Sequence, residues 1–205
     1  IFSVVSYHND RKEYEKAGYL NLVKSNGFKM NVYSTGAENG KHTIVGLAGM
    51  GCHAFPIQSE PMNALIGKEN PLVYADHAGY GFSGDSVKKQ TIPQVVEDLR
   101  TGLKNAGIEA PYVLMGHSYG DFYALYWEEQ YPDEVEAVIM LDGSIPPKSE
   151  IWQYYSIDEY LSESAAYAYA NRRVLRTWLG LDRLFPQEDD GGQVPEAAAS
   201  LTAEQ

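Results

Sequence analysis

From Gly27 to Tyr33 the chain alternates, with Phe28, Met30 and Val32 on one side and Lys29, Asn31 and Tyr33 on the other. A period of two marks a half-buried strand. His42 to Leu47, Leu72 to Ala75, Tyr112 to Met115 and Val135 to Leu141 are short apolar runs bounded by turn residues. Such runs suit strands buried on both faces. Helical patterns fall between them. Residues 54–66 read as helix, with Pro56 and Pro61 shaping its start. The next helix is better marked: Thr91 can cap it, Pro93 fits its first turn, Val95, Val96, Leu99 and Leu103 share a face, and Gly107 ends it. Residues 119–131 read as a further helix, with Phe122, Leu125 and Tyr126 inward and Pro132 as its stop. Strands alternating with helices predict an α/β fold, a mostly parallel sheet with helices on both faces.

The flanks have a different texture. Residues 9–24 are mixed and charged and read as helix or linker. The apolar opening, Ile1 to Tyr7, fits a short first strand, or equally the tail of a membrane helix or signal segment. From Glu150 strand signals vanish, and tyrosines and tryptophans sit among alanines and charges, as in a helical cap. The organisation expected is thus an N-terminal stub with charged helix or linker over 1–26, a core over 27–149 and a helical cap over 150–205. The acidic stretch 187–193 reads as a solvated loop rather than a metal site.

Charge narrows the function. Sixteen basic residues against twenty-eight acidic ones leave a net charge of -12, and no basic footprint for nucleic acid. The single cysteine, Cys52, excludes an intrachain disulfide. No apolar run reaches the roughly eighteen residues of a membrane span. No cluster of His, Cys and Asp has ligand spacing, so neither a metal nor a cofactor is expected.

The chemistry concentrates in Gly116-His117-Ser118-Tyr119-Gly120, which fits G-x-S-x-G between a predicted strand and a predicted helix. That context is the one a nucleophile elbow requires. A serine at a sharp strand-to-helix turn is presented at a helix N-terminus, whose amides favour developing negative charge. The flanking Gly116 and Gly120 let strand and helix approach each other.

Three further stretches accompany the elbow in order: Leu47-Ala48-Gly49-Met50-Gly51, then Asp76-His77-Ala78-Gly79-Tyr80-Gly81-Phe82-Ser83, and Val138 to Gly143. Together they resemble the α/β-hydrolase fold family, whose third strand is usually followed by His-Gly-x-Gly and whose fourth by D-x-x-G-x-G-x-S. The resemblance covers residues 27 to 147 and implies roles. Ser118 would be the nucleophile, and the backbone amides of Met50 and Tyr119 would bind the oxyanion. Asp142 matches a position where a minority of the family carries the acid. Ala48 departs from the family His, which leaves the loop's amides in place. Asp121 departs from a common Gly, and its charge raises the cost of an oxyanion nearby.

A serine hydroxyl needs a general base. All five histidines (His8, His42, His53, His77 and His117) precede Ser118, whereas the family order is Ser, acid, His. The resemblance therefore implies a fragment lacking the C-terminal strands, with the base beyond Gln205. Of the histidines present, only His53 falls near the expected pocket. The expected activity is a carboxylesterase-like or lipase-like serine hydrolase, cleaving a small ester, thioester or amide through an acyl-enzyme. Relatives with this layout often carry one N-terminal membrane helix, so a membrane-anchored or extracytoplasmic protein is expected, with a cytoplasmic one as the alternative. An acyltransferase, a lyase or a cofactor-free haloperoxidase of this fold stays open, and so do two other readings. One is a non-catalytic protein of the same fold. The other is a dinucleotide-binding domain using Gly49-x-Gly51-x-x-Ala54, with Asp76 on the ribose. Epoxide hydrolases of this fold use an Asp nucleophile, which Ser118 disfavours.

Overall fold

A computed structural model of the chain describes residues 11–52 and 55–143. Residues Leu20–Ser156 form one unit. Residues 11–19 belong to another unit and hold a short helix over 11–16. The predicted cap over 150–205, the stub over 1–7 and His53 lie outside the described residues.

The strands are β1 (Leu22–Ser25), β2 (Phe28–Gly36), β3 (Thr43–Leu47), β4 (Pro71–Ala75), β5 (Tyr112–His117) and β6 (Val135–Leu141). They form one sheet in the order β1-β2-β4-β3-β5-β6. β2 is antiparallel to β1 and β4, while β4, β3, β5 and β6 run parallel. The predicted mostly parallel α/β sheet is therefore present. Its central strands are buried along nearly their whole length, as continuous apolar runs between helices should be.

β1 lies where the charge pattern predicts helix or linker. Ser25 pairs with Phe28 across Asn26-Gly27, and Gly27 takes φ 106°. Asn-Gly between two strands is a strong hairpin signal, and it outweighs the mixed composition before it. The hairpin is tied down by α3 (Ile92–Asn105). Ser25 Oγ donates to the Asp98 carbonyl at 2.7 Å, and Asn26 Nδ2 donates to the Asp98 carboxylate at 2.8 Å.

α3 follows its expectation. Thr91 Oγ1 accepts from the Gln94 amide at 3.4 Å, and Ile92, Val95, Val96, Leu99 and Leu103 are buried. The predicted helix over 54–66 is instead two short ones, α1 (Phe55–Gln58) and α2 (Glu60–Ile66). Pro61 opens the second, where its missing N–H costs nothing.

α4 (Gly120–Gln130) differs in its face. Tyr123, Ala124 and Trp127 are buried, whereas the predicted Phe122, Leu125 and Tyr126 are only partly covered. The helix carries aromatic or apolar residues nearly all round, so periodicity could not select the side. Close approach to the sheet selects it: a Cβ on Gly120 would strike the Leu47 carbonyl of β3.

Candidate active site

β3, β5 and β6 end side by side. Leu47 pairs with Gly116, and His117 with Leu141. The three loops leaving these ends build the site.

Ser118 sits between β5 and α4 at φ 52°, in the left-handed region that a non-glycine residue rarely adopts. Two contacts hold it there. Its amide donates to the Leu141 carbonyl at 3.1 Å, and its carbonyl accepts from the Asp121 amide at 3.1 Å. The strained backbone is the feature expected of a nucleophile elbow. Gly116 and Gly120 have the tight surroundings their place in the motif requires. A Cβ on Gly116 would strike the Asp121 carboxyl and stand 2.7 Å from its amide nitrogen.

The loop after β3 lies directly against the serine. A Cβ on Gly49 would stand 2.8 Å from the His117 carbonyl oxygen and 3.1 Å from Ser118 Cβ. The loop is a tight turn: the Cys52 amide donates to the Gly49 carbonyl at 3.2 Å, and Gly51 takes φ 77°. A glycine at positive φ in the third position fits the turn class that demands one. The Gly51 amide donates to the Tyr80 hydroxyl at 3.0 Å. The amides of Gly51 and Cys52 are thus both engaged.

The loop after β4 is built around Asp76. Its Oδ2 accepts from the Phe82 amide and from Asn31 Nδ2, each at 3.1 Å. Burial nonetheless pushes this carboxyl up to about 6, against the pull of those two donors. A side chain at Gly81 would strike the same carboxyl. Asp76 therefore orders its own loop. It is turned into protein rather than offered to a ribose, and α1 ends after four residues instead of presenting the long helix of a pyrophosphate site.

Asp121, in the first turn of α4, is fully buried. Neither carboxyl oxygen has a hydrogen-bond partner among the described residues, and burial pushes the group up to about 6. The sequence placed it near the elbow but showed nothing of this enclosure.

The described histidines have other engagements. His117 Nδ1 lies 3.6 Å from the Cys52 thiol and its ring stacks on Phe55. His42 pairs with Glu136 at 2.8 Å. His77 is buried against Tyr80 and Tyr123. Among the described residues no hydrogen bond joins Ser118 to a histidine. Asp142 follows β6 with φ 50° and an exposed side chain, and no described hydrogen bond links it to Ser118.

A cavity of about 480 Å³ opens at the other end of β5, lined by Arg100, Lys104, Tyr112, Trp127 and Glu134 among others. Arg100 is engaged there by Glu134 and Glu97. No group of His, Cys, Asp and Glu among the described residues could hold a metal.

A mostly parallel sheet of this strand order, with a strained serine at the central strand-to-helix turn, is the α/β-hydrolase fold. The chain belongs to the serine aminopeptidase, S33, family, whose model matches residues 38–182. It is 35% identical over 159 residues to the uncharacterized protein YbdG of Bacillus subtilis (strain 168), covering 76% of this chain and 48% of that one. The chain spans about half, or less, of the length of the curated relatives it matches. Among solved structures, an epoxide hydrolase from Bacillus megaterium superimposes with a TM-score of 0.53 at 20% identity, over 62% of this chain and 43% of that one. A thermophilic esterase from Thermogutta terrifontis gives 0.51 at 19% identity, over 63% and 47%. At these identities the two structures share the fold with this chain, and their activities remain their own.

Proposed function

We propose that the protein is a serine hydrolase that cleaves a small ester, thioester or amide through an acyl-enzyme on Ser118. The observation that carries this reading is the left-handed backbone of Ser118, with the Gly49 turn packed against it. Membership in a serine aminopeptidase family supports it, as does an esterase among proteins of the same fold.

In this reading the Ser118 hydroxyl attacks the substrate carbonyl. The amides of Met50 and Tyr119 receive the negative charge that forms on its oxygen. Donors already in place cost no reorganisation at that moment, and losing one typically costs about 3–4 kcal/mol of transition-state stabilisation. A histidine outside the described residues takes the serine proton and returns it to the leaving group. Asp142, at the carboxyl end of β6, is one acid that could orient such a histidine. The domain plan that accompanies this reading has residues 27–149 as the hydrolase core and residues 150–205 as a helical cap.

The test is covalent labelling of the protein, expressed from its complete coding sequence, with a fluorophosphonate. A single adduct on Ser118 is expected, and Ser118→Ala abolishes it. Undiminished labelling of the Ser118→Ala protein would sink the assignment.

A further inference from the structure

We infer that Tyr80 is a positioning residue for the oxyanion hole, acting through its hydrogen bond to the Gly51 amide; the inference rests on the reading of Ser118 and Met50 given above.

The turn Gly49-Met50-Gly51-Cys52 needs an external brace. It contains two glycines, its tip at Gly51 is exposed, and a single backbone hydrogen bond closes it. The middle peptide of such a turn can rotate about its neighbours at little steric cost when a glycine follows it. Because a trans peptide is rigid, that rotation would bring the Met50 carbonyl oxygen to the side now occupied by the Gly51 N–H. The Tyr80 hydroxyl, accepting at 3.0 Å, holds the Gly51 N–H on its side. The same bond ties the tip of the turn to the loop after β4, so the turn as a whole, with the Met50 N–H in its preceding peptide, keeps its place beside Ser118.

Tyr80 is itself firmly held. Its amide donates to the His77 carbonyl at 3.0 Å, and its carbonyl accepts from the Ser83 amide at 2.9 Å. Its ring lies 3.7 Å from that of buried His77, centroid to centroid. His77 meets Tyr123 of α4 at 5.6 Å, and Tyr123 meets Tyr119 at 5.6 Å. One run of aromatic contacts therefore links the turn that carries Met50 to Tyr119, whose amide is the other expected donor. Both donors are referenced to the same rigid cluster, and a donor misplaced by about 1 Å can lose as much as a hundredfold in rate.

The test is Tyr80→Phe in the protein expressed from its complete coding sequence. The ring and its stacking remain while the acceptor is lost. With an activated p-nitrophenyl ester, kcat should fall about ten- to a hundredfold, with KM within about twofold. Affinity for a trifluoromethyl ketone, which mimics the tetrahedral adduct, should fall by the same factor as kcat/KM. Hydrogen exchange at the Gly51 amide should speed up about tenfold or more. Unchanged kcat and unchanged ketone affinity, with fluorophosphonate labelling of Ser118 intact, would overturn the inference while leaving the nucleophile in place. If the wild-type serine is not labelled at all, the enzymatic reading itself fails. Gly51 exchange unaltered in the variant would then also remove Tyr80 as a brace.

Discussion

The carboxyl of Asp121 occupies the space in which a side chain at residue 143 would stand; Gly143 is the residue that makes room for it. Gly116 does the same from the other side. The carboxyl is enclosed without a described hydrogen-bond partner, and burial raises it to about 6 despite the favourable field of the helix N-terminus. Because the folded state holds this proton more tightly than the unfolded chain, the group's contribution to stability is fully present below about pH 4. It is lost as pH rises through about 6. Asp121→Asn should therefore stabilise the protein near pH 7.5 by on the order of 1–3 kcal/mol, with the advantage shrinking toward pH 4. Urea titrations at the two pH values measure this. An effect of equal size at both would show that the charge is not what matters.

Ser118 at φ 52° carries a strain that only glycine escapes. Ser118→Gly and Ser118→Ala both remove the hydroxyl, but the glycine variant should be the more stable by about 1 kcal/mol. Thermal unfolding of the two side by side settles the sign. An alanine variant as stable as the glycine one would mean that the elbow is relaxed.

Gly120→Ala drives a methyl into the Leu47 carbonyl, a backbone atom that cannot swing aside. The variant should lose about 1–3 kcal/mol in denaturant unfolding, and its fluorophosphonate labelling should slow because α4 is pushed off β3. Wild-type stability and labelling would contradict the close approach of helix and strand.

Much of the candidate site was legible because it is local. The elbow spans five consecutive residues, and its flanking strand and helix announce themselves by run length and by Pro132. Thr91 and Pro93 marked the start of α3 by the same kind of short-range chemistry. The β1 hairpin was missed: Asn26-Gly27 carries its signal, but the charged segment before it reads as helix or linker. The inward face of α4 was not legible: Phe122, Tyr123, Leu125, Tyr126 and Trp127 surround the helix, and only the sheet decides which of them is covered. The contact of Tyr80 with Gly51 joins two loops through tertiary structure, and no spacing encodes it. Asp121 could be placed in the first turn of α4 from sequence, but its burial depends on Gly143 beyond β6.

Glu134 shows long-range polar order of the same kind. It accepts from Arg100 Nε and from Trp127 Nε1, each at 2.8 Å, and Arg100 lowers its carboxyl below the ordinary range. A lowered carboxyl contributes stability above its unfolded pKa and loses it as pH falls through the folded one. Glu134→Gln should cost on the order of 1–3 kcal/mol at pH 7, less at pH 3, and should alter the fluorescence of fully buried Trp127. A variant that matches wild type in both readouts at pH 7 would rule out the cluster as a stabilising element.

The pairing of β3 with β5 has a kinetic meaning as well. Leu47 meets Gly116 across a long intervening stretch that holds two short helices, β4 and α3. Contacts between distant segments form slowly, because loop closure must precede any gain from pairing. The Gly49 turn and Ser118 come together only when those strands have aligned. In a refolding time course, recovery of serine reactivity should therefore trail the recovery of helical signal, marking the completion of assembly rather than its onset.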